Sequence, residues 1–291
     1  MTPRFVLILS ASFILKCGAH YDVNAAVEVL TEKIKAAPTA ELYYQRAIEF
    51  RALREPIHAE EDLRASLKIA AYQPSLAALA SLLSQKEKHQ EALATANQLL
   101  EISPTAHHQL LMADLAFAAG NNDRALEAVK KGPAPEDHAH LLHAHLLFLK
   151  DQHKEAATIL KEAHNRTKSI VLRNAWLDAS IAAGDFETVL PILNQEIQSS
   201  RFTASYRIRR ARVLQESDSA FTQADLKASL SEVAFRLNPA RPDLTLINDR
   251  RQAYLLLGEK EKAAADLEIM RKRGLDPVGP WMLRSITKRA E

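Results

Sequence analysis

Asp114-Leu115-Ala116-Phe117-Ala118-Ala119, then Gly120-Asn121-Asn122-Asp123, then Arg124-Ala125-Leu126-Glu127-Ala128-Val129-Lys130 decides the fold class. The first and third pieces are rich in alanine and leucine at helical spacing, and both residue types favour helix. The middle piece holds glycine and asparagine, which tolerate the left-handed backbone that ends a helix. Helix, four-residue turn, helix is the reading.

Outward from that stretch the unit recurs. Second helices open near a small residue at Ala26, Ala59, Ala92, Ala125, Ala156, Val189, Ala224 and Ala263, at intervals of 33, 33, 33, 31, 33, 35 and 39. A small side chain there lets two antiparallel helices approach closely, so Val189 is expected to widen its pair. Prolines follow the second helices at Pro38, Pro74, Pro104, Pro133, Pro239 and Pro277, where a missing amide hydrogen ends one helix or starts the next. Gly132-Pro133 is expected to cut one second helix short.

These copies resemble the tetratricopeptide repeat, most closely in Leu110–Val129, Leu141–Ala163, Trp176–Leu193, Tyr43–Leu67 and Arg250–Leu267. The resemblance implies an all-α, right-handed helix-turn-helix solenoid of about seven repeats over residues 20–277. An array of stacked pairs exposes apolar faces at its ends. Asn24–Ala36 reads as a lone second helix at the start, and residues 278–291, with Trp281, Leu283 and Ile286, as a C-terminal capping helix.

At the other end, Arg4 precedes the mostly apolar run Phe5–Leu15, with small residues at Cys17-Gly18-Ala19. That order is expected of a signal peptide over residues 1–19, and so of an exported, periplasmic or secreted protein. Lipidation of Cys17, or an uncleaved N-terminus, is the alternative and the one route to membrane contact. No later stretch is apolar enough to cross a bilayer.

Of 291 residues, 47% are apolar and 25% charged, which suits a packed core. The net charge of +2 carries no nucleic-acid signature, but residues 201–291 hold 18 basic and 12 acidic residues against 20 and 24 before them. No Gly-x-Ser-x-Gly, phosphate loop, Gly-x-Gly-x-x-Gly or His-Glu-x-x-His occurs, so neither catalysis nor a cofactor is expected.

In the family it resembles, the first helices line a concave wall that holds a protein or peptide. Carried over by position, that wall comprises Tyr44, Arg51, Asp114, Phe117, His145, Phe148, Asn174, Asp178, Arg212 and Gln252. The leading function is a non-catalytic interaction scaffold. A second reading gives Arg207, Arg209 and Arg210, on a strongly basic helix, to an anionic lipid or polysaccharide. It competes with a solvated face paired to Glu216, Asp218, Asp225, Asp243 or Asp249. A third gives His107, His138 and His145 to a weakly held metal, against the plainer reading of packed and solvated histidines.

Overall fold

A computed structural model describes residues 22–132, 135–215, 219–278 and 281–284. The expected signal peptide and Cys17 lie outside the described residues. The chain divides into two compact units, Met1–Tyr72 and Gln73–Glu291. The division falls after Tyr72, well before Gly132-Pro133.

The first unit holds α1 (Val23–Ala36), α2 (Ala40–Ala52) and α3 (Pro56–Ile69). Asp22 caps α1 by accepting from the Asn24 and Ala25 amides, and Thr39 caps α2 through the Leu42 amide. Pro56 opens α3, where its missing N–H costs nothing. α1 is the lone helix expected before the first full pair.

The second unit holds six more pairs: α4 (Gln73–Gln85) with α5 (His89–Ile102), α6 (Ala106–Ala118) with α7 (Asn122–Lys131), α8 (Asp137–Phe148) with α9 (His153–Thr167), α10 (Ile170–Ala182) with α11 (Phe186–Ser199), α12 (Ala204–Leu214) with α13 (Ser219–Arg236), and α14 (Leu244–Leu256) with α15 (Lys260–Lys272). Each helix packs on its partner, and α4 on α6, α8 on α10, α10 on α12 and α12 on α14. First helices therefore stand side by side and form a wall.

One backbone device makes the turns. The amides of Glu55, Lys88, Asn121, Gln152, Asp185 and Glu259 donate to the carbonyls of Phe50, Leu83, Ala116, Leu147, Ser180 and Tyr254 at 2.8–3.0 Å. This is the six-to-one bond of a Schellman ending, which needs a residue at positive φ. Arg54, Glu87, Gly120, Asp151, Gly184 and Gly258 occupy that position, with φ between 57° and 77°. Three sites use glycine, and three hold a side chain against its steric preference.

The small-residue seam is present at Ala59, Ala92, Ala125, Ala156 and Ala263, each no more than 2% exposed. Ala224 is a correction. It is exposed, and buried Thr222 takes the place in α13. The expected residue was two positions late because the loop before α13 carries no glycine to mark the register. Val189 is fully buried at the seam of α10 and α11, and Pro191 follows it inside α11. α7 stops at Lys131, and Gly132 follows because an added Cβ would stand 2.6 Å from the Gln109 Cβ.

The capping helix is the second correction. Residues 281–284 form strand β2 (Trp281–Arg284), antiparallel to β1 (Leu275–Val278), with Val278 opposite Trp281. Residues 285–291 lie outside the described residues. Val278 and Trp281 both have high strand propensity, which outweighs the reading of Pro280 as a helix start. Among the described residues no helix is long and apolar enough to cross a membrane.

Candidate functional site

The wall of first helices changes character along the second unit. Across α4, α6 and α8 it is mostly leucine and alanine: Leu83, Leu115, Ala116, Leu142 and Leu146 are all under 2% exposed. Some of its polar side chains are committed, while the buried Ser84 Oγ and His143 Nε2 have no hydrogen-bond partner. His138 Nε2 lies 2.7 Å from Asp114 Oδ1, and that bond holds the imidazole pKa above its ordinary value. Phe117 meets His145 edge-on at 5.5 Å. His145 is fully buried, and burial pushes its pKa down to about 4, so the ring is neutral at pH 7. Phe148 turns to its own repeat and packs on His153, with ring centroids 4.3 Å apart.

His107, His138 and His145 do not converge. His138 is taken by Asp114, His145 is enclosed beside Phe117, and His107 is largely exposed with Glu136 as its nearest acid at 3.9 Å. Among the described residues no three such side chains come together as metal ligands. His140 meets Arg166 at 2.7 Å, and burial, then Arg166, lower its pKa.

Across α10, α12 and α14 the wall is polar and enclosed. Thr203 starts α12 with its hydroxyl and amide both donating to Glu232. The basic residues that follow share two carboxylates. Arg207 and Arg210 share Asp225 of α13 at 2.8–3.0 Å, and Arg210 also covers the Phe221 ring at 4.6 Å. Arg209 grips Asp178 of α10 with two parallel bonds of 3.0 and 2.7 Å, and Arg212 reaches the same carboxylate at 3.2 Å. Arg212 also donates to Gln252 of α14 at 3.2 Å. A bidentate guanidinium–carboxylate pair fixes position as well as charge. Among the acids expected to neutralise this helix, Asp225 does so. The other partner, Asp178, sits 31 residues before Arg209, one repeat away in sequence, and only stacking brings it within reach. These pairs hold Arg207, Arg209 and Arg210 in place, while two carboxylates offset only part of the positive charge of this helix.

Beside the Asp178–Arg209 pair opens a pocket of about 400 Å³, lined by residues of α10, α12 and α14 with Phe202, Arg236 and Asp243 at its edges. Asn174 and Asp178 are the expected wall residues that line it. Asn174 Oδ1 is buried and accepts no hydrogen bond. Asp249 faces the same space and was read in the sequence only as a partner for arginine. Burial raises its pKa to about 7; Arg209 and Arg236 pull it down, while Asp178 and Asp243 push it up. Arg236 is spent on Glu232 at 3.0 Å and on the Phe202 ring at 4.0 Å. Val171 and Leu246 add apolar lining. Phe202 and Arg236 carry no signal in the sequence, since they come from a loop and from the end of a second helix.

Arg212 and Gln252 border this site through Asp178. Tyr44 and Arg51 belong to the first unit, where Tyr44 meets Tyr72 edge-on at 5.6 Å. The wall residues thus fall into separate neighbourhoods, and the pocket brings together volume, polarity and a titratable group.

No family model matches the chain, and no curated protein matches it either. Among solved structures it is similar to a tetratricopeptide repeat protein from Parabacteroides merdae, at 18% identity and a TM-score of 0.58 over 81% of this chain and 93% of that one. It is also similar to the C-terminal part of a TPR repeat-containing protein from Cytophaga hutchinsonii, at 13% identity and a TM-score of 0.51 over 84% and 94%. Yeast Tom70 matches at 14% identity and a TM-score of 0.51 over 85% of this chain and 54% of Tom70. Identities this low speak to architecture alone, and the architecture is that of the tetratricopeptide repeat.

Proposed function

We propose that the chain is a non-catalytic interaction module that holds an extended segment of a protein partner along the wall of α10, α12 and α14. The observation that carries this reading is the 400 Å³ pocket, built by three consecutive first helices and containing a buried acceptor that nothing in the chain satisfies. A buried acceptor left without a donor carries a desolvation cost, and of the buried atoms in this position Asn174 Oδ1 belongs to a residue that lines the pocket. The wall around it is fixed before any partner arrives. The Asp178–Arg209 and Asp178–Arg212 bonds tie α10 to α12, and the Arg212–Gln252 bond ties α12 to α14. A pre-ordered wall binds without the entropy loss of arranging itself.

The anionic-surface reading is less favoured, because each of its arginines is already held in an ion pair with Asp178 or Asp225. Panning a random peptide-display library on the full chain, with Val171→Trp as the blocked control, tests the groove. The expected result is enriched sequences whose synthetic peptides bind at least tenfold more weakly to the control. Absence of any enriched peptide, or equal binding to the control, overturns it.

A further inference from the structure

Two acceptors of the pocket stand without a donor. Asn174 Oδ1 accepts nothing, and only burial and neighbouring charge, with no hydrogen bond, act on the Asp249 carboxyl. The two donors with the greatest capacity nearby are committed elsewhere: Arg209 to Asp178 and the Ser205 carbonyl, Arg236 to Glu232 and the Phe202 ring.

The charges agree with the hydrogen bonding. Asp178, Asp243, Asp249 and Glu232 face Arg209, Arg212 and Arg236. The group carries one negative charge in excess when Asp249 is ionised and none when it is protonated. A site with spare acceptors, a spare negative charge and apolar sides calls for a donor-rich cation on an apolar stem. Lysine and arginine side chains have that form.

Resting on the groove reading above, we propose that the pocket takes the cationic side chain of a lysine or arginine presented by the partner segment. The stem lies against Val171 and Phe202, and the head donates to Asn174 Oδ1 and the Asp249 carboxylate. Binding then requires Asp249 to give up its proton, so a basic occupant is held more tightly as pH rises through 7. The occupant's own charge is constant across that range, and Arg209, Arg212 and Arg236 remain charged as well.

Four acetylated, amidated nonapeptide libraries, random except for a central Lys, Arg, Gln or Glu, test this by fluorescence anisotropy on the full chain. The Lys and Arg libraries are expected to bind at least tenfold more tightly than the Glu library at pH 8. That advantage is expected to shrink at pH 6, and to disappear in Asp249→Asn. Asn174→Ala, which leaves the carboxyl in place, is expected to reduce the advantage severalfold. It stands as an independent check should Asp249→Asn fail to fold. If the libraries bind without preferring a basic centre, or prefer Glu, the inference is overturned while the groove survives. If none binds, the groove reading falls and the inference with it.

Discussion

Two kinds of repeat coexist in this chain. In α12/α13 and α14/α15 the first helix is latched to the second by charge: Arg210 to Asp225, and Arg250 to Asp266 at 3.0 and 2.6 Å. Arg46 and Asp62 make the same latch between α2 and α3, at 2.7 Å in both bonds. The hairpins α4/α5 and α6/α7 have no charge at these positions. By the seam register, Leu79 and Met112 replace the arginine, and Thr95 and Ala128 the aspartate. All four are buried. The same geometry is therefore reached by two routes. Apolar packing gains from area and tolerates change of shape. A buried ion pair gains position at a desolvation cost and tolerates no loss of one partner.

The largest expected effect breaks that contrast directly. Arg250→Met strands Asp266, which is 2% exposed, and is expected to cost about 3 kcal/mol in chemical denaturation. Adding Asp266→Leu is expected to restore stability to within about 1 kcal/mol, because it converts a latched repeat into the apolar kind. A double variant as weak as the single one would show that the two kinds are not interchangeable.

The next effect is acid sensitivity in the apolar region. The pKa of His145 is about 4 in the fold against about 6.5 in an unfolded chain. Above pH 6.5 the ring is neutral in both states. Between 6.5 and 4 the unfolded state takes up the proton and the fold does not, so stability falls as pH falls, by about 3 kcal/mol in all. His145→Met is expected to flatten that slope, as read from urea midpoints between pH 4 and 7.

Asp249 slopes the other way. With a folded pKa of about 7 and an ordinary unfolded value near 4, the fold keeps its proton longer than the unfolded chain. Stability is therefore lost as pH rises from about 4 to 7. Asp249→Asn is expected to raise stability at pH 8 by roughly 2 kcal/mol, less than the full linkage because the side chain is partly exposed. A melting temperature that moves equally at pH 4.5 and pH 8 would show that the gain is not electrostatic.

The smallest effect concerns the turns, which both kinds of repeat share. Glu87 has φ of 60°, and Glu87→Gly is expected to stabilise by about 0.5 kcal/mol. Relief of the left-handed strain slightly exceeds the added freedom of the unfolded chain.

The fold was legible in the sequence because its signals are local and repeated. Turn, seam residue and terminating proline each recur near one period, so an error at one copy, such as Ala224 for Thr222, left the pattern intact. The ends have no second copy to correct them, and Pro280 reads there as the start of a capping helix. The site was half legible. Asn174, Asp178, Arg212 and Gln252 follow from position on the first helices. The basic helix was ambiguous, since a partner one repeat away in sequence becomes a neighbour only after stacking. Asp249 was visible as an acid but not as a protonated one, because its pKa comes from burial.

The Schellman turns and the intra-hairpin latches are each complete within a single unit. Whole hairpins can therefore be duplicated or deleted at most junctions without severing a charge pair. Two junctions are different: an extra unit inserted between α7 and α8 would carry Asp114 away from His138, and one between α11 and α12 would carry Asp178 away from Arg209 and Arg212. Growth of the array by duplication is thus permitted along most of its length and opposed at these two junctions, one of which helps to assemble the pocket.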